Sequence, residues 1–287
     1  MQRGRQATAL LFLSPLIVLW GLFLILPIIE TAYYSLTQWD GLSAIWNGLG
    51  NYRTLMRSAD FGDVLFNNAL LLLSIPFALI IPFFIALLIA MEPPGWKWVR
   101  ALIFLPATLS WVVTGIVFLR VFSSDGMLNA GLRAIGLGAL QMDLLGSVHT
   151  AIIPIAITFV WSQVGQNTLI FLIGLSSIDA SVLEACAIDG AGLLGTVRAI
   201  ILPLMTRFII FAAIITLIAA FTALFSLIFV MTGGGPGFST TTMEFYIYRL
   251  AFGQTDFGMG ATVGIVLLMV IAFVSVPLMM AYRRASA

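Results

Sequence analysis

The sequence predicts an all-α integral membrane protein, a bundle of six transmembrane helices with a cytoplasmic helix-turn-helix loop. Of the 287 residues, 61% are hydrophobic and only 9% are charged, whereas ordinary soluble domains carry about 25% charged residues. Six apolar blocks each supply the roughly 20 residues that a helix needs to cross the hydrocarbon core. Because a helix satisfies its own backbone hydrogen bonds, each block is expected to span as a helix. The blocks cover residues 7–29, 69–91, 101–122, 151–175, 208–231 and 260–282.

The first block follows Arg3 and Arg5, a pattern also found in secretory signals. It is longer than a typical signal core and has no clear small-x-small cleavage site. We therefore expect it to remain as the first membrane helix of a single membrane domain, residues 1–287. The formal charge of +1 gives no reason to expect nucleic-acid binding, and a single cysteine, Cys186, excludes an internal disulfide.

The orientation follows from the positive charges in alternate loops, because cytoplasmic loops are enriched in lysine and arginine. Eight such residues fall on one side and five on the other. The richer side is therefore assigned to the cytoplasm, together with both termini and the loop 178–204. The richer side carries Arg3, Arg5, Lys97, Arg100, Arg198, Arg207, Arg283 and Arg284; the other carries Arg53, Arg57, Arg120, Arg133 and Arg249.

The loop 178–204 mixes charged and apolar residues between two spanning blocks, which indicates a loop with structure of its own. Ser181 and Glu184 fit a capping box, so a first short helix is expected to begin near Ser181. Asp189-Gly190 is a turn dipeptide, since glycine reaches positive φ without steric cost. A second, amphipathic helix follows from the apolar spacing of Leu193, Val197, Ile200 and Leu204, and it ends or kinks at Pro203.

These residues resemble the coupling loop of the membrane subunits of binding-protein-dependent ABC importers. That family has Glu-Ala-Ala, three residues, Gly, nine residues and Ile-x-Leu-Pro; the matching positions are Glu184-Ala185-Cys186, Gly190, Ile200 and Leu202-Pro203. The sequence departs from the family pattern at Asp179 and Val197, where proline and often phenylalanine are usual.

A second motif is similar to the sugar-type branch of that family, which includes the maltose and glycerol-3-phosphate permeases. It reads Thr232-Gly233-Gly234-Gly235-Pro236, followed by Tyr246, Tyr248, Ala251 and Phe252. The glycine run is not a phosphate-binding loop, because that motif needs a lysine and a hydroxyl residue directly after it. We expect an irregular external connector instead. The resemblance runs from about Pro15 to the end of the chain.

The resemblance implies a permease subunit of an ATP-driven importer for a carbohydrate or related polyol. Its implied partners are a second permease subunit, two ATPase subunits and an extracytoplasmic substrate-binding protein, in a bacterial or archaeal cytoplasmic membrane. ATP and Mg would be bound by the ATPase subunits, so this chain itself is expected to hold no cofactor or metal and to catalyse no reaction. The implied ATPase-coupling residues are Glu184, Ala185, Asp189, Gly190, Ala191, Leu193, Val197, Ile200 and Pro203.

Polar side chains inside spanning helices are functional candidates, although they also hold helices together. Gln163, Gln166 and Asn167 are spaced to share one helix face, and their amides suit polyol hydroxyls. In the maltose branch the sugar lies between the helices flanking the coupling loop, but that branch's polar pocket positions are alanines here, so a pocket contributed largely by a partner subunit stays open. The candidate substrate-pathway residues are Trp161, Gln163, Gln166, Asn167, Thr216, Thr222 and Ser226.

Two other function classes fit this sequence less well. An ion-coupled secondary carrier or channel typically uses ionisable groups inside the membrane, and no spanning block has an Asp, Glu, Lys or His at mid-depth. A membrane-embedded enzyme would need a base beside its nucleophile, and the only histidine, His149, lies at a membrane boundary.

Overall fold

Helices make up nearly all of the regular structure in the computed structural model, which describes residues 12–286; positions 7–11 of the first predicted span lie outside the described residues. Two strands, β1 (Thr37–Trp39) and β2 (Ala44–Trp46), form an antiparallel hairpin. The helices are α1 (Phe12–Tyr34), α2 (Gly50–Arg57), α3 (Ala59–Leu72), α4 (Ile75–Ala90), α5 (Trp96–Thr108), α6 (Trp111–Phe122), α7 (Met127–Ala134), α8 (Ile152–Ser176), α9 (Ala180–Ile188), α10 (Leu193–Leu204), α11 (Thr206–Ala220), α12 (Leu224–Met231), α13 (Met243–Tyr248) and α14 (Phe257–Ser286).

The predicted membrane fold class is confirmed. Within residues 12–286, five helical stretches are long and apolar enough to cross a bilayer, and α10 with α11 makes a sixth if the pair counts as one span. That pair bends by 71°, at the boundary where Pro203 had predicted an end or kink. The five stretches are Phe12–Tyr34, Ala59–Ala90, Trp111–Ala134, Ile152–Ser176 and Phe257–Ala285.

Two local expectations were wrong. The block 101–122 is two helices, because the chain turns at Leu109 and Ser110, whose hydroxyl caps α6 by accepting a hydrogen bond from the Val113 amide at 3.3 Å. The block 208–231 is also interrupted, at 221–223 between α11 and α12. The loop 30–68 also contains the β1–β2 hairpin, a two-stranded sheet within a mostly helical fold.

Two compact units divide the chain, and the smaller contains residues up to Phe61 together with Tyr246–Met269. Here Asn51 of α2 donates hydrogen bonds to the carbonyls of Ser35 (3.1 Å) and Thr37 (2.8 Å). Thr262 of α14 donates to the same Ser35 carbonyl at 3.0 Å. These bonds satisfy backbone groups where α1 gives way to the hairpin, which fixes the hairpin in place.

The larger unit, Gly62–Phe245 with Val270–Ala287, holds most of the bundle. Its helices approach closely where glycine replaces a side chain: a Cβ on Gly165 of α8 would lie 2.9 Å from the Ile103 carbonyl of α5. One apolar core packs around Phe159, Leu227 and Ile228, all fully buried. Small residues let membrane helices pack at short distance, which favours association by dispersion contacts.

Hydrogen bonds between helices cross the interior of this unit. The buried amide of Asn167 on α8 donates to the Ala78 carbonyl of α4 at 2.8 Å and to the Thr216 hydroxyl of α11 at 2.9 Å. One side chain therefore connects three helices.

We expect Asn167→Ala to destabilise the protein by about 1–2 kcal/mol, since two interhelical hydrogen bonds within the membrane are lost. Thermal unfolding in detergent measures this. The matched control is Gln166→Ala, which removes an exposed amide from the neighbouring position and should leave the unfolding temperature nearly unchanged. Equal effects in both variants would contradict the structural role of Asn167.

Candidate functional site

The loop 178–204 forms a bent elbow of two helices, α9 and α10. Its first helix begins at Ala180, and the cap is Asp179 rather than the Ser181–Glu184 capping box that the sequence predicted. The Asp179 carboxylate accepts hydrogen bonds from the Ser181 amide (3.0 Å) and hydroxyl (2.8 Å). These bonds lower the pKa of Asp179. An aspartate at a helix start satisfies an otherwise unpaired amide, which explains why a departure from the family's proline is tolerated here.

The corner of the elbow lies at Gly190, as predicted. Its φ is +75°, a left-handed conformation that glycine adopts without a Cβ penalty. The Ala191 amide donates to the Cys186 carbonyl at 3.0 Å, which is the helix-ending bond of a Schellman motif. No atom lies within 4 Å of a Cβ built on Gly190, so the requirement for glycine is conformational rather than steric.

Large apolar side chains project from this corner. The exposed fractions are 85% for Ile188, 67% for Leu193 and 79% for Leu194. Exposed apolar residues are common singly, but a contiguous exposed group of this kind on a polar-flanked loop is typical of an interaction site. We call Ile188, Leu193 and Leu194 the elbow tip.

Val197, which the sequence assigned to the same docking surface, faces the opposite way. It is 7% exposed and packs into a cluster with Ile201 and Met205. We call this cluster the elbow base: Phe83, Ala86, Phe171, Val197, Ile201, Met205 and Ala212. Positions 197, 201 and 205 recur every four residues, so one stripe of the chain is buried against α4, α8 and α11.

The other predicted coupling residues lie at the surface of the elbow. Glu184, Ala185, Asp189, Ala191 and Pro203 are exposed, and Ile200 is half-buried. The predicted set is therefore accessible except for Val197. Sequence reasoning did not single out Ile188 and Leu194, although their high exposure beside the glycine corner makes them the largest apolar contribution to the tip.

The three amide side chains predicted to share one face of α8 do not all face the same way. Gln163 is 1% exposed and Asn167 is fully buried, whereas Gln166 is exposed. The prediction that all three share one face is wrong. Gln163 and Asn167 face the interior of the bundle, whereas Gln166 faces away from it.

Three buried polar atoms along α8 have no hydrogen-bond partner among the described residues: Gln163 Nε2, Asn167 Oδ1 and Thr168 Oγ1. Unmet groups of this kind are costly in a low-dielectric interior. They form a polar strip inside the unit that water or a shifted arrangement of helices would satisfy.

The remaining pathway candidates lie on other faces. Trp161 is half-buried, with its ring edge-on to Phe118 at 5.0 Å between centroids. Thr222 is exposed in the break between α11 and α12, where its hydroxyl donates to the Ile218 carbonyl at 2.8 Å. Ser226 is half-buried on α12, and Thr216 is occupied by Asn167. The break between α11 and α12 contains no glycine or proline, so no local sequence signal predicts it.

The glycine-rich connector is held by two adjacent amides that the sequence analysis missed. Asn67 of α3 donates to the carbonyls of Phe238 and Thr241 at 2.6 and 3.0 Å. Asn68 accepts from the Met243 amide at 2.9 Å. The connector is irregular, as predicted, but these contacts give it a defined conformation.

Glu244 directly follows Met243, whose amide is bonded to Asn68. Both of its carboxylate oxygens are buried and have no hydrogen-bond partner among the described residues. Burial raises the pKa of this carboxyl to about 7. Within the described residues, no group of three or more His, Cys, Asp or Glu is placed to hold a metal ion.

The apolar bundle and its bent elbow are those of a membrane protein, and the family match gives its class as a component of a transport system. The chain belongs to the family described as binding-protein-dependent transport system inner membrane component, whose model matches residues 8–284. It is 32% identical to a probable ABC transporter permease protein of Pyrococcus horikoshii, over 93% of each chain. It is 33% identical to the multiple sugar-binding transport system permease protein MsmF of Streptococcus mutans, over 92% of this chain and 91% of that protein.

Solved structures share the fold. A chain of a bacterial ABC transporter involved in the import of the acidic polysaccharide alginate superposes with a TM-score of 0.84 at 23% identity. The match covers 98% of this chain and 96% of that one. The chain thus shares its fold with a chain of that transporter over nearly its full length.

The buried carboxyl of Glu244 generates a pH dependence of stability. Its pKa rises from the ordinary 4.5 to about 7 in the folded protein, so the folded state binds the proton more tightly. Stability is therefore expected to fall as pH rises from about 4.5 to 7 and to level off above that, by up to about 3 kcal/mol.

Glu244→Gln, which is neutral at every pH, should flatten this dependence. Thermal unfolding between pH 5 and 8 measures it, and Asp125→Asn, at an exposed acidic position, serves as the control. An unchanged pH profile in the Glu244 variant would show that the carboxyl is solvated.

Proposed function

We propose that this chain is one permease subunit of an ATP-driven importer for a carbohydrate or related polyol. It forms half of the translocation pathway with a second permease subunit of the same family. Two soluble ATPase subunits, which bind ATP and Mg, dock on the elbow, and an extracytoplasmic binding protein delivers the substrate. The membrane is the cytoplasmic membrane of a bacterium or archaeon, with both termini inside.

The observation that carries the docking proposal is the elbow tip. Three large apolar side chains stand 67–85% exposed at a loop corner, with the carboxylates of Glu184 and Asp189 exposed beside them. Interfaces of this kind combine an apolar centre with a charged rim. The tip therefore fits a cleft in a soluble partner, with Glu184 placed to pair with a basic residue there.

The elbow base supports the transmission of motion from that partner. Val197, Ile201 and Met205 are buried among residues of three membrane helices, so a displacement of the tip moves α4, α8 and α11 with it. Packed interiors shift between discrete arrangements rather than deforming continuously. This property suits a subunit that alternates between two states of access.

The carbohydrate class rests on the relatives and on amide chemistry. The Streptococcus mutans relative is named for multiple sugars, and a solved relative of the same fold is described in complex with an alginate pentasaccharide-bound periplasmic protein. In this chain Gln166 and Thr222 are exposed within or beside spanning helices and are the first candidates to meet a hydroxylated substrate. Gln163 and Asn167 require a rearrangement to reach one, because both are buried.

Leu194→Ser tests the docking surface. Burying a leucine contributes about 1.5–3 kcal/mol, so the variant should bind the ATPase subunit roughly 10- to 100-fold more weakly. Titration of the co-expressed ATPase against immobilised permease measures this. Leu140→Ser, an equally conservative change at a 57% exposed leucine outside the elbow, should bind normally; loss of binding in that control, or full binding by Leu194→Ser, contradicts the docking proposal.

Uptake separates the importer from an ion-coupled carrier. In cells or vesicles, transport by the intact complex is expected to stop when ATP is depleted and to persist when ionophores collapse the ion gradients. The reverse result would assign the chain to a secondary carrier, and uptake without any binding protein would remove the importer assignment altogether.

A further inference from the structure

A groove of about 440 Å³ opens between α8, α11 and the last turns of α14, all parts of the larger unit. Its volume lies within the roughly 300–1,000 Å³ typical of small-molecule sites. It is separate from the elbow tip and from the pathway candidates. The lining residues are Ile170, Ile173, Arg207, Phe208, Phe211 and Tyr282.

One charged group lines this groove, the guanidinium of Arg207, and packing holds it in place. The guanidinium carbon lies 4.8 Å from the centre of the Phe208 ring. That ring packs on Gly174 of α8 so closely that a Cβ there would come within 2.9 Å of it. Arg207 is also the second residue of α11, where the helix dipole adds positive potential. The exposed Arg207 cation therefore lies at the groove, over the Phe208 ring.

The walls of the groove are apolar and open to the outside. Ile173 is 54% exposed and Phe211 is 43% exposed. The Phe211 and Tyr282 rings lie 6.4 Å apart between centroids, tilted by 44°. A small soluble anion would leave these walls uncovered, whereas an acyl chain would cover them.

The charge around the groove has a single sign. Helices α8, α11 and α14 contain three arginines, Arg207, Arg283 and Arg284, and no aspartate or glutamate. Arg283 and Arg284 directly follow Tyr282, in the last turn of α14. Basic groups between membrane helices at the bilayer surface attract anionic lipid headgroups, at about 1 kcal/mol for each arginine.

We propose that this groove binds an anionic phospholipid, with its phosphate on the Arg207 guanidinium and an acyl chain along Ile170, Ile173 and Phe211. The site lies directly after the 71° bend between α10 and α11, beside Phe208, which packs against the elbow base. A bound lipid therefore braces the joint between the elbow and the bundle. This inference rests on the membrane placement of the chain and not on its substrate or ATPase, so it stands or falls separately from the proposed importer.

The test uses the purified permease, with whatever partner subunits remain bound, in detergent. Phosphatidylglycerol is expected to raise the unfolding temperature by about 2–4 °C more than phosphatidylcholine, and native mass spectrometry should show phosphatidylglycerol retained. Arg207→Gln should lose both effects, and Arg207→Lys should keep most of the stabilisation. Arg133→Gln, at an exposed arginine of α7, should behave as wild type.

Ile173→Trp fills the groove without changing its charge and should also reduce lipid retention. If inorganic phosphate alone reproduces the stabilisation, the site is an anion site and the lipid proposal fails. The proposal also fails if Arg207→Gln and Arg133→Gln respond alike to phosphatidylglycerol. It fails as well if a co-purified protein subunit, and not lipid, covers the groove.

Discussion

The packing of Val197, Ile201 and Met205 against Phe83 and Phe171 is the contact on which the rest of the structure depends. These side chains are at most 7% exposed, and they hold one arm of the loop 178–204 onto three membrane helices. Without this elbow base, α10 would be a surface helix with no fixed angle to the bundle. With it, the 71° bend is set by packing, and the glycine corner presents the elbow tip in one direction.

The elbow therefore divides its apolar residues between two purposes. One stripe is buried in the chain's own interior, and the residues of the elbow tip around the corner stay exposed, where the proposed ATPase docks. Both sets look alike in composition, which is why the sequence alone predicts Val197 on the docking surface although it is buried. The same division explains why Gly190 matters, since the left-handed residue decides which side chains end up on the tip.

Polar groups in the bundle show a comparable division. The side-chain amide of Asn167 donates hydrogen bonds to α4 and α11, and Asn67 and Asn68 form hydrogen bonds with the glycine-rich connector. Gln163, Thr168 and Glu244 instead keep buried atoms without partners among the described residues. Unmet buried groups raise the free energy of the arrangement that contains them. These atoms therefore mark the part of the bundle interior where the polar groups are least well satisfied.

The sequence by itself determined the membrane class, the approximate spans, the glycine corner and the family, because hydrophobic length, turn chemistry and motif spacing are local properties. Which residues of the elbow are buried, that Gln166 turns away from Gln163 and Asn167, and that α11 and α12 separate at 221–223 were decided by the tertiary structure. Each of these outcomes depends on neighbours that are distant in the chain, such as Phe83 for Val197 and Ala78 for Asn167. In addition, an almost uniformly apolar segment has no sequence pattern that distinguishes its lipid-facing side from its protein-facing side.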